Sequence, residues 1–284
     1  MIGHAPAPFS PGYPLLPGYQ VTEHLARGQT LDVYAAWSER RDCLCVVKTP
    51  RPDRLADRAG RRRLLHEGRL LCELGHPHLV RGYETHGGPP PAVVMETLAG
   101  QTLGHLIATR RQGLAVGDLA ELGLQLCSVV RYLHRSGTLH LDLKPSNVVA
   151  EAGRARLFDL SHARAPGPCP AGFGTREYMP PEQLTGGTVS GASDVFGLGG
   201  VLHRAATRRR PFAVSERDDP YRRPRFAALR RRALPPALVR LIEACLEPSP
   251  ADRPATADIA HTLGRLAGLP SWATRQRSRN ACLS

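Results

Sequence analysis

Four polar residues in the middle of the chain have the types and spacing of a phosphoryl-transfer site. Asp142 is followed by a lysine two places on, Lys144, and by Asn147, and a second carboxylate, Asp159, comes twelve residues after that asparagine. Asp142 could orient an attacking hydroxyl and receive its proton, while Lys144 could meet the charge of the transferring phosphoryl group. Asn147 and Asp159 offer the oxygen ligands that Mg²⁺ prefers. The pattern therefore indicates metal-assisted phosphoryl transfer.

A lysine and a glutamate nearer the N-terminus have the types of a nucleotide-phosphate site. Lys48 ends a strand-like run, and Glu67 lies in the next segment, whose apolar residues have helical spacing. Such a pair can hold the α- and β-phosphates of a nucleotide. The chain contains 36 Arg but only two Lys, Lys48 and Lys144. Because this chain uses Arg wherever either residue serves, the two Lys mark positions that need a compact ammonium.

The elements that must position these residues change type along the chain. The first part reads as strands at residues 19–49, a helix at 54–74, and short strands at Val80 and 92–95. After Gly100 the apolar period becomes helical, with helices at residues 119–133, 195–202, 238–246 and 259–266. The sequence therefore predicts a small β-rich part followed by a larger helical part, joined near residues 96–100.

Composition places the chain among globular proteins. It has 284 residues, of which 42 % are hydrophobic and 22 % charged, which excludes wholesale disorder, fibrous repeats and a coiled coil. No uncharged apolar run reaches the length of about 18 to 20 residues that a membrane span needs, and the N-terminus lacks the features of a signal peptide. We expect a cytoplasmic protein whose seven Cys are free thiols. Because the net charge of +13 reflects Arg used in place of Lys, it does not favour nucleic acid as a partner.

The motifs together resemble those of a eukaryotic-type Ser/Thr protein kinase of the sort also found in bacteria. They occur in the order of that family and cover residues 18–266. The matching features are a Gly-rich loop at residues 26–34, Lys48, Glu67, a gatekeeper and hinge at 94–96, the catalytic segment 140–147, the activation-segment motifs 174–178 and 180–182, Asp194 and Arg253. A single motif of this kind is weakly specific, whereas the ordered series is highly specific.

The resemblance implies an α+β, two-lobed protein-kinase-like fold, with a small β-rich N-lobe and a larger helical C-lobe. The kinase domain would span residues 18–268, with the N-lobe at about 18–97 and the C-lobe at about 102–268. A disordered Pro-rich leader (1–17) would precede it and a basic disordered tail (269–284) would follow. ATP would bind in the cleft beneath residues 26–33, and its γ-phosphoryl group would pass, with Mg²⁺, to a Ser or Thr hydroxyl of a protein.

The resemblance also implies a role for each candidate residue. Catalysis would involve Asp142, Lys144, Lys48 and Glu67, and Mg²⁺ would be held by Asn147 and Asp159. Contacts to ATP would come from Ala26, Gly28, Val33, Lys48, the gatekeeper Met95, Glu96 and Leu98. Thr175 would lie in the loop that receives the substrate, and the structural anchors would be Glu182, Asp194 and Arg253.

Two departures from the family pattern keep an alternative open. Only the middle glycine, Gly28, survives in the Gly-rich loop, and Asp159-Leu160-Ser161 replaces the usual Asp-Phe-Gly. These losses suit a pseudokinase scaffold that binds partners without catalysis, whereas the complete polar set favours an active enzyme. Small-molecule kinases share the catalytic core but lack the motifs at residues 174–182. Lys144 and Thr175 resemble Ser/Thr rather than tyrosine kinases.

Two further features bear on regulation and partners. In many family members an Arg precedes the catalytic Asp and clamps a phosphorylated activation segment, but here that position is Leu141. The segment 159–182 carries hydroxyls only at its ends, at Ser161, Thr175 and Tyr178. We therefore predict activity that does not depend on activation-loop phosphorylation. Residues 208–232 hold ten Arg against three acidic residues, which indicates either a docking face for an acidic protein or a coding bias on a solvated surface.

Overall fold

The computed structural model describes residues 6–212, 226–230 and 232–269. The chain divides into two compact units, one formed by Met1–Ala99 with Asp159–Ser161, and the other by Gly100–Phe158 with His162–Ser284. A β-rich part followed by a larger helical part confirms the predicted fold class.

The first unit is a six-stranded antiparallel sheet with one long helix. The elements are β1 (Pro14–Leu16), β2 (Tyr19–Arg27), β3 (Leu31–Ser38), β4 (Cys43–Pro50), a 3₁₀ turn (Pro52–Arg54), α1 (Arg58–Glu73), β5 (Gly82–His86) and β6 (Ala92–Glu96). In the sheet the strands follow the order β1-β2-β3-β4-β6-β5. Strand β5 begins at Gly82, two residues after the predicted position, Val80.

Helix α1 carries Glu67 and packs tightly on the sheet. Asp57 directly precedes it, and the Asp57 carboxylate accepts hydrogen bonds from the amides of Ala59 and Gly60 and so caps the first turn. A Cβ at Gly68 would lie 2.5 Å from side-chain atoms of Thr85 on β5 and Val93 on β6. The missing side chain at this position lets the helix approach the strands closely.

The structure corrects the expectation of a disordered leader at residues 1–17. Residues 1–5 lie outside the described part, but residues 6–17 are ordered, and β1 pairs with β2. Leu15 and Leu16 are buried in a core cluster on one face of the sheet, and Phe9 packs against it. The Pro-rich composition suggested an exposed chain, yet the apolar residues between the prolines bury enough surface to hold the segment.

The second unit is mainly helical and is built around two long helices. The elements are β7 (Gln101–Thr102), α2 (Leu103–Thr109), α3 (Val116–Arg135), a 3₁₀ turn (Pro145–Asn147), β8 (Val148–Glu151), β9 (Arg154–Leu157), β10 (Gly167–Pro168), α4 (Pro181–Thr185), β11 (Thr188–Val189), α5 (Gly191–Thr207), α6 (Ala227–Arg230), α7 (Pro236–Cys245), a 3₁₀ turn (Pro250–Asp252) and α8 (Thr256–Leu266). Helix α5 is buried along most of its length and packs against α3 and α7. The four predicted helices are confirmed as α3, α5, α7 and α8.

Some predictions fall on residues outside the described part. The proposed tail, residues 269–284, lies outside it except for Leu269, and residues 213–225 and 231 of the basic segment also lie outside it. Among the described helices, none combines the length and apolarity that a membrane crossing requires.

Candidate active site

The first unit brings Lys48, Glu67 and Asp159 together. Lys48 lies on β4, opposite Val33 on β3 and Val93 on β6. Its ammonium Nζ is 2.7 Å from Glu67 Oε1 and 3.4 Å from Asp159 Oδ1. The predicted Lys–Glu pair is therefore formed, and the carboxylate of the Asp-Leu-Ser motif lies beside it.

Burial and neighbouring charges shift the pKa of Lys48 in opposite directions. Burial, the largest single influence, would lower the pKa of Lys48, but the carboxylates of Glu67 and Asp159 raise it well above its ordinary value. Burial also raises the pKa of Glu67, against the opposing effect of the Lys48 ammonium. Lys48 is therefore held as a cation at neutral pH, as a phosphate-binding group must be.

The second unit arranges three hydrogen-bond donors around the carboxylate of Asp142, which is almost fully buried. Its Oδ2 accepts hydrogen bonds from Lys144 Nζ at 2.7 Å and from Asn147 Nδ2 at 3.1 Å. Its Oδ1 accepts one from the backbone N–H of Thr175 at 2.9 Å. Lys144 Nζ also donates to Thr175 Oγ1 at 2.7 Å. The Asp142 carboxylate is thus fixed in orientation by Lys144 and Asn147 of the catalytic segment, residues 140–147, and by Thr175 of the activation segment.

A buried aspartate at the start of α5 holds the backbone of the catalytic loop. Asp194 accepts hydrogen bonds from the backbone N–H groups of His140 at 2.9 Å and Leu141 at 2.8 Å, and from His134 Nε2 at 2.8 Å. Leu141 has a φ of 61°, a left-handed conformation that a leucine rarely adopts. The bonds to Asp194 stabilise that conformation just before Asp142.

Apolar packing surrounds the position where many family members have an arginine. Leu141 is buried in a cluster with Leu139, Cys169 and Val189, and Phe173 packs against it. The backbone of Leu139 exchanges two hydrogen bonds with Arg164, and β10 pairs with β11. The activation segment is therefore joined to the catalytic loop by apolar contacts and backbone hydrogen bonds.

The remaining anchor residues form a buried ion pair. Arg253 donates to both carboxylate oxygens of Glu182, at 2.7 and 2.9 Å, and to the carbonyl oxygen of Ala192. The hydroxyl of Ser193 also donates to Glu182. This pairing ties the end of the activation segment to α5.

The loop with the missing glycines forms a tight hairpin at residues 26–33, here called the nucleotide hairpin. Ala26 pairs with Val33, and Arg27 pairs with Asp32. The N–H of Gly28 donates to the carbonyl oxygen of Leu31 at 2.8 Å. This amide is therefore engaged within the hairpin, and the contact between Gly28 and ATP stays a prediction.

The predicted gatekeeper, Met95, and Glu96 lie at the end of β6, and Leu98 follows that strand. Met95 is buried and pairs with Val46 on β4. The carboxylate of Glu96 accepts a hydrogen bond from the backbone N–H of Arg81, and Leu98 is half-buried. Their contacts to ATP stay a prediction.

Sequence reasoning missed several residues that shape the site. Gln183 donates from its amide to the carbonyl oxygens of Leu141 and Phe173. His162 Nδ1 lies 3.8 Å from Asp142 Oδ2. Neither residue belongs to a spaced motif, and their roles depend on the path of the activation segment, so no sequence signal could have found them.

Comparison with known proteins agrees with this geometry. A probable serine/threonine-protein kinase of Streptomyces coelicolor is 32 % identical over 207 residues, which cover 68 % of this chain and 31 % of that protein. The serine/threonine-protein kinase PknB of Mycobacterium leprae is 31 % identical, over 68 % of this chain and 33 % of its own. The kinase pkn3 of Myxococcus xanthus is 30 % identical, over 84 % and 48 %. The chain thus matches a third to a half of the length of these curated relatives.

A solved structure and a family match cover most of the chain. The crystal structure of the M. tuberculosis PknI kinase domain superposes with a TM-score of 0.73, covering 92 % of this chain and 100 % of that one at 23 % identity. At that identity the likeness shows the fold. The sequence also matches the protein kinase domain family over residues 19–263. With the Lys48–Glu67 pair and the Asp142 network in place, the chain belongs to the protein kinase family and has bacterial Ser/Thr kinases among its relatives.

Proposed function

We propose that this chain is an active Ser/Thr protein kinase that transfers the γ-phosphoryl group of Mg·ATP to a protein hydroxyl. The observation that carries the proposal is the set of contacts around Asp142, whose two carboxylate oxygens are oriented by Lys144, Asn147 and the Thr175 amide. A chain that only bound partners would have no need of a carboxylate oriented in this way. A family resemblance alone would not support catalysis, because function depends on the site.

The residues present fit ATP and Mg²⁺. Lys48 is a buried cation with two carboxylate neighbours, and a compact ammonium suits phosphate oxygens. Asn147 uses its amide nitrogen on Asp142, so its amide oxygen is the atom that could serve as a ligand. Asp159 offers a carboxylate. Mg²⁺ keeps several waters and substrate phosphates in its shell, so two protein oxygens are a sufficient set.

Each residue would contribute by position and charge. Mg·ATP, when bound, supplies the phosphoryl group and neutralises part of its charge. Asp142 orients the substrate hydroxyl and accepts its proton as the oxygen attacks. Lys144, beside that carboxylate, stabilises the negative charge that develops on the transferring group. Lys48, held by Glu67, fixes the nucleotide phosphates, and the Thr175 backbone keeps the acceptor loop close to Asp142.

We further propose that this activity is independent of activation-loop phosphorylation. Leu141 and its apolar neighbours occupy the place of a phosphate-binding arginine, and Thr175 already contacts Lys144 and Asp142 without a phosphate. Phosphatase-treated protein should phosphorylate a substrate from the first minute. A lag that prior incubation with ATP removes, with phosphate mapped inside residues 159–182, would overturn this proposal.

The pseudokinase alternative has one observation in its favour. The Gly28 amide, which would approach a phosphate, is bonded to Leu31. The direct test is incubation with Mg²⁺, labelled ATP and a generic acceptor protein. We expect phosphoserine or phosphothreonine in the acceptor, and none when the metal is chelated. Binding of ATP without any transfer would support the pseudokinase.

A further inference from the structure

We propose that the N-terminal strap, defined as residues 6–16, is a positioning element that holds the nucleotide hairpin, from which two family glycines are missing, in one conformation. The proposal takes the identity of the hairpin as the ATP loop from the proposed function. It is carried by a continuous set of contacts within the first unit, from Phe9 to Asp32 and Arg27.

The strap is attached to the sheet by rings and backbone hydrogen bonds. The ring of Phe9 stacks on that of Tyr13, with centroids 4.1 Å apart and 4° between the planes. It also lies 5.9 Å from the ring of Tyr34, a fully buried residue of β3. The amide of Gly12 donates to the carbonyl oxygen of Val21, and the amide of Val21 donates to that of Tyr13. The strap therefore has a defined path beside β2 and β3.

Tyr34 links the strap to the arms of the hairpin. Its hydroxyl accepts a hydrogen bond from the Phe9 amide at 3.1 Å and donates to Asp32 Oδ2 at 3.3 Å. Asp32 is fully buried, and its carboxylate accepts hydrogen bonds from both Nε and Nη2 of Arg27, each at 2.8 Å. Arg27 Nη1 reaches back to the carbonyl oxygen of Pro6. The strap and the ion pair thus form one closed set of contacts.

The electrostatics of Asp32 agree with a fixed ion pair. Burial alone would raise its pKa, but hydrogen bonds from Arg27 and His24 hold the pKa of Asp32 below its ordinary value. His24 Nε2 lies 3.2 Å from Asp32 Oδ1. The carboxylate therefore stays charged at neutral pH, and Arg27 stays bound between the two arms.

The tip of the hairpin is held separately by Arg51. Its Nη1 donates to the carbonyl oxygens of Gly28 and Gln29, each at 3.3 Å, and its backbone N–H donates to that of Thr30. The side chain is itself paired with Asp53. Because the arms and the tip are both constrained, the hairpin is ordered before any ligand binds.

This order gives the strap a specific consequence for function. Glycines let a phosphate-binding loop change its conformation, but such a loop then loses conformational entropy when the nucleotide binds. A hairpin that is already ordered loses less entropy on binding. The strap should therefore affect ATP affinity and leave the phosphoryl-transfer step, which depends on Asp142, unchanged.

The test uses Tyr34→Phe in the full chain, which removes only the hydroxyl between Phe9 and Asp32. In nucleotide-free protein we expect amides 26–33 to exchange hydrogen about three- to tenfold faster, the range that one ordinary hydrogen bond contributes. The Kd and KM for ATP should rise by a similar factor, with kcat unchanged. Phe9→Ala should act in the same direction.

A matched control is Tyr83→Phe, which makes the same chemical change on β5 of the same sheet. Tyr83 stacks under Arg41 through its ring, which the variant keeps, so hydrogen exchange at residues 26–33 should equal that of the wild type.

A second variant, Leu31→Gly, restores a family glycine. It should loosen the hairpin and weaken ATP binding.

The possible outcomes separate this proposal from the proposed function. Faster exchange in Tyr34→Phe, in a protein that binds no ATP, would support the strap and contradict the kinase proposal. Unchanged exchange and unchanged KM, in a protein that phosphorylates its acceptor, would overturn the strap. A fall in kcat equal to the change in kcat/KM would also overturn it, because the strap would then act on the chemical step.

Discussion

Each of the two units holds its own set of predicted site residues, and the two sets are stabilised by different means. In the first unit Lys48 is held by charge, because its ammonium faces the carboxylates of Glu67 and Asp159. In the second unit Asp142 is held by a network of hydrogen bonds, and the backbone next to it is fixed by Asp194. A buried carboxylate supports each part, Glu67 through an ion pair and Asp194 through backbone amides.

The comparison also shows how each unit accommodates its departures from the family pattern. The first unit has lost two glycines of its nucleotide hairpin, and an ion pair between Arg27 and Asp32 joins the two arms. The second unit has Leu141 in place of an arginine, and an apolar cluster occupies that position. In both units the changed residue type is accompanied by contacts that fit it, while the catalytic polar groups keep the family identity.

Of the variants that compare the two units, the largest effect is expected in the unit whose site residues are held by charge. Lys48→Arg keeps the positive charge but replaces a compact ammonium with a wider guanidinium, which cannot sit between Glu67 and two phosphates in the same geometry. We expect phosphoryl transfer to fall by at least about a hundredfold, the scale of losing one preorganised charged contact. The measurement is kcat/KM for ATP with a fixed acceptor.

The matched control for that variant is Arg154→Lys, the reverse exchange at an exposed position on β9. It should leave kcat/KM within experimental error of the wild type. Near-wild-type turnover in Lys48→Arg would show that the Lys–Glu pair is not part of the reaction.

A smaller effect is expected from the part that depends on backbone hydrogen bonds. Asp194→Asn weakens the bonds to the amides of His140 and Leu141 and should cost about 2 to 3 kcal/mol of unfolding free energy at pH 7. The measurement is chemical denaturation of the wild type and the variant. An unchanged midpoint would mean that Asp194 does not fix the loop.

The same pair of proteins gives a pH dependence with a defined sign. Burial alone would raise the pKa of Asp194, but the hydrogen bond and charge of His134 and the His140 amide hold it below its ordinary value. A lowered native pKa stabilises the fold above the unfolded pKa, and this contribution is lost as the pH falls through the native pKa. The stability difference between wild type and Asp194→Asn should therefore be full at pH 7 and decrease below about pH 4. A difference that grew on acidification would contradict this sign.

The smallest expected effect concerns substrate preference. Arg176 is exposed and follows Thr175 directly, and its neighbour Glu177 is paired with Arg210 at 2.8 Å. A substrate peptide with an acidic residue beside its acceptor hydroxyl should therefore be phosphorylated more readily, because that residue can pair with Arg176. Arg176→Glu should reduce the preference for acidic over neutral peptides by about two- to fivefold, the range for an exposed ion pair. If the wild type and the variant show the same ratio of acidic to neutral peptide phosphorylation, Arg176 has no such role.

The sequence was most informative where a known motif predicts a contact or a regular apolar period predicts an element. The lysine of a strand and the glutamate of the next helix predicted the Lys48–Glu67 pair, and the 3.6-residue period predicted the long helices. Sequence reasoning failed for the leader, because proline content gave no sign that Leu15 would be buried in the core or that Phe9 would pack against it. It also missed Gln183 and the Arg27–Asp32 pair, since those contacts depend on how the chain turns between elements.

The most direct test of catalysis is Asp142→Asn, compared with the wild type under identical Mg²⁺ and labelled ATP. The variant keeps the size of the side chain and loses the basicity that accepts the hydroxyl proton. We expect its rate of phosphoryl transfer to fall by about 10²- to 10⁴-fold, the range for a general base, with ATP binding retained. Equal incorporation of label by the two proteins would contradict the assignment of Asp142 as the catalytic base.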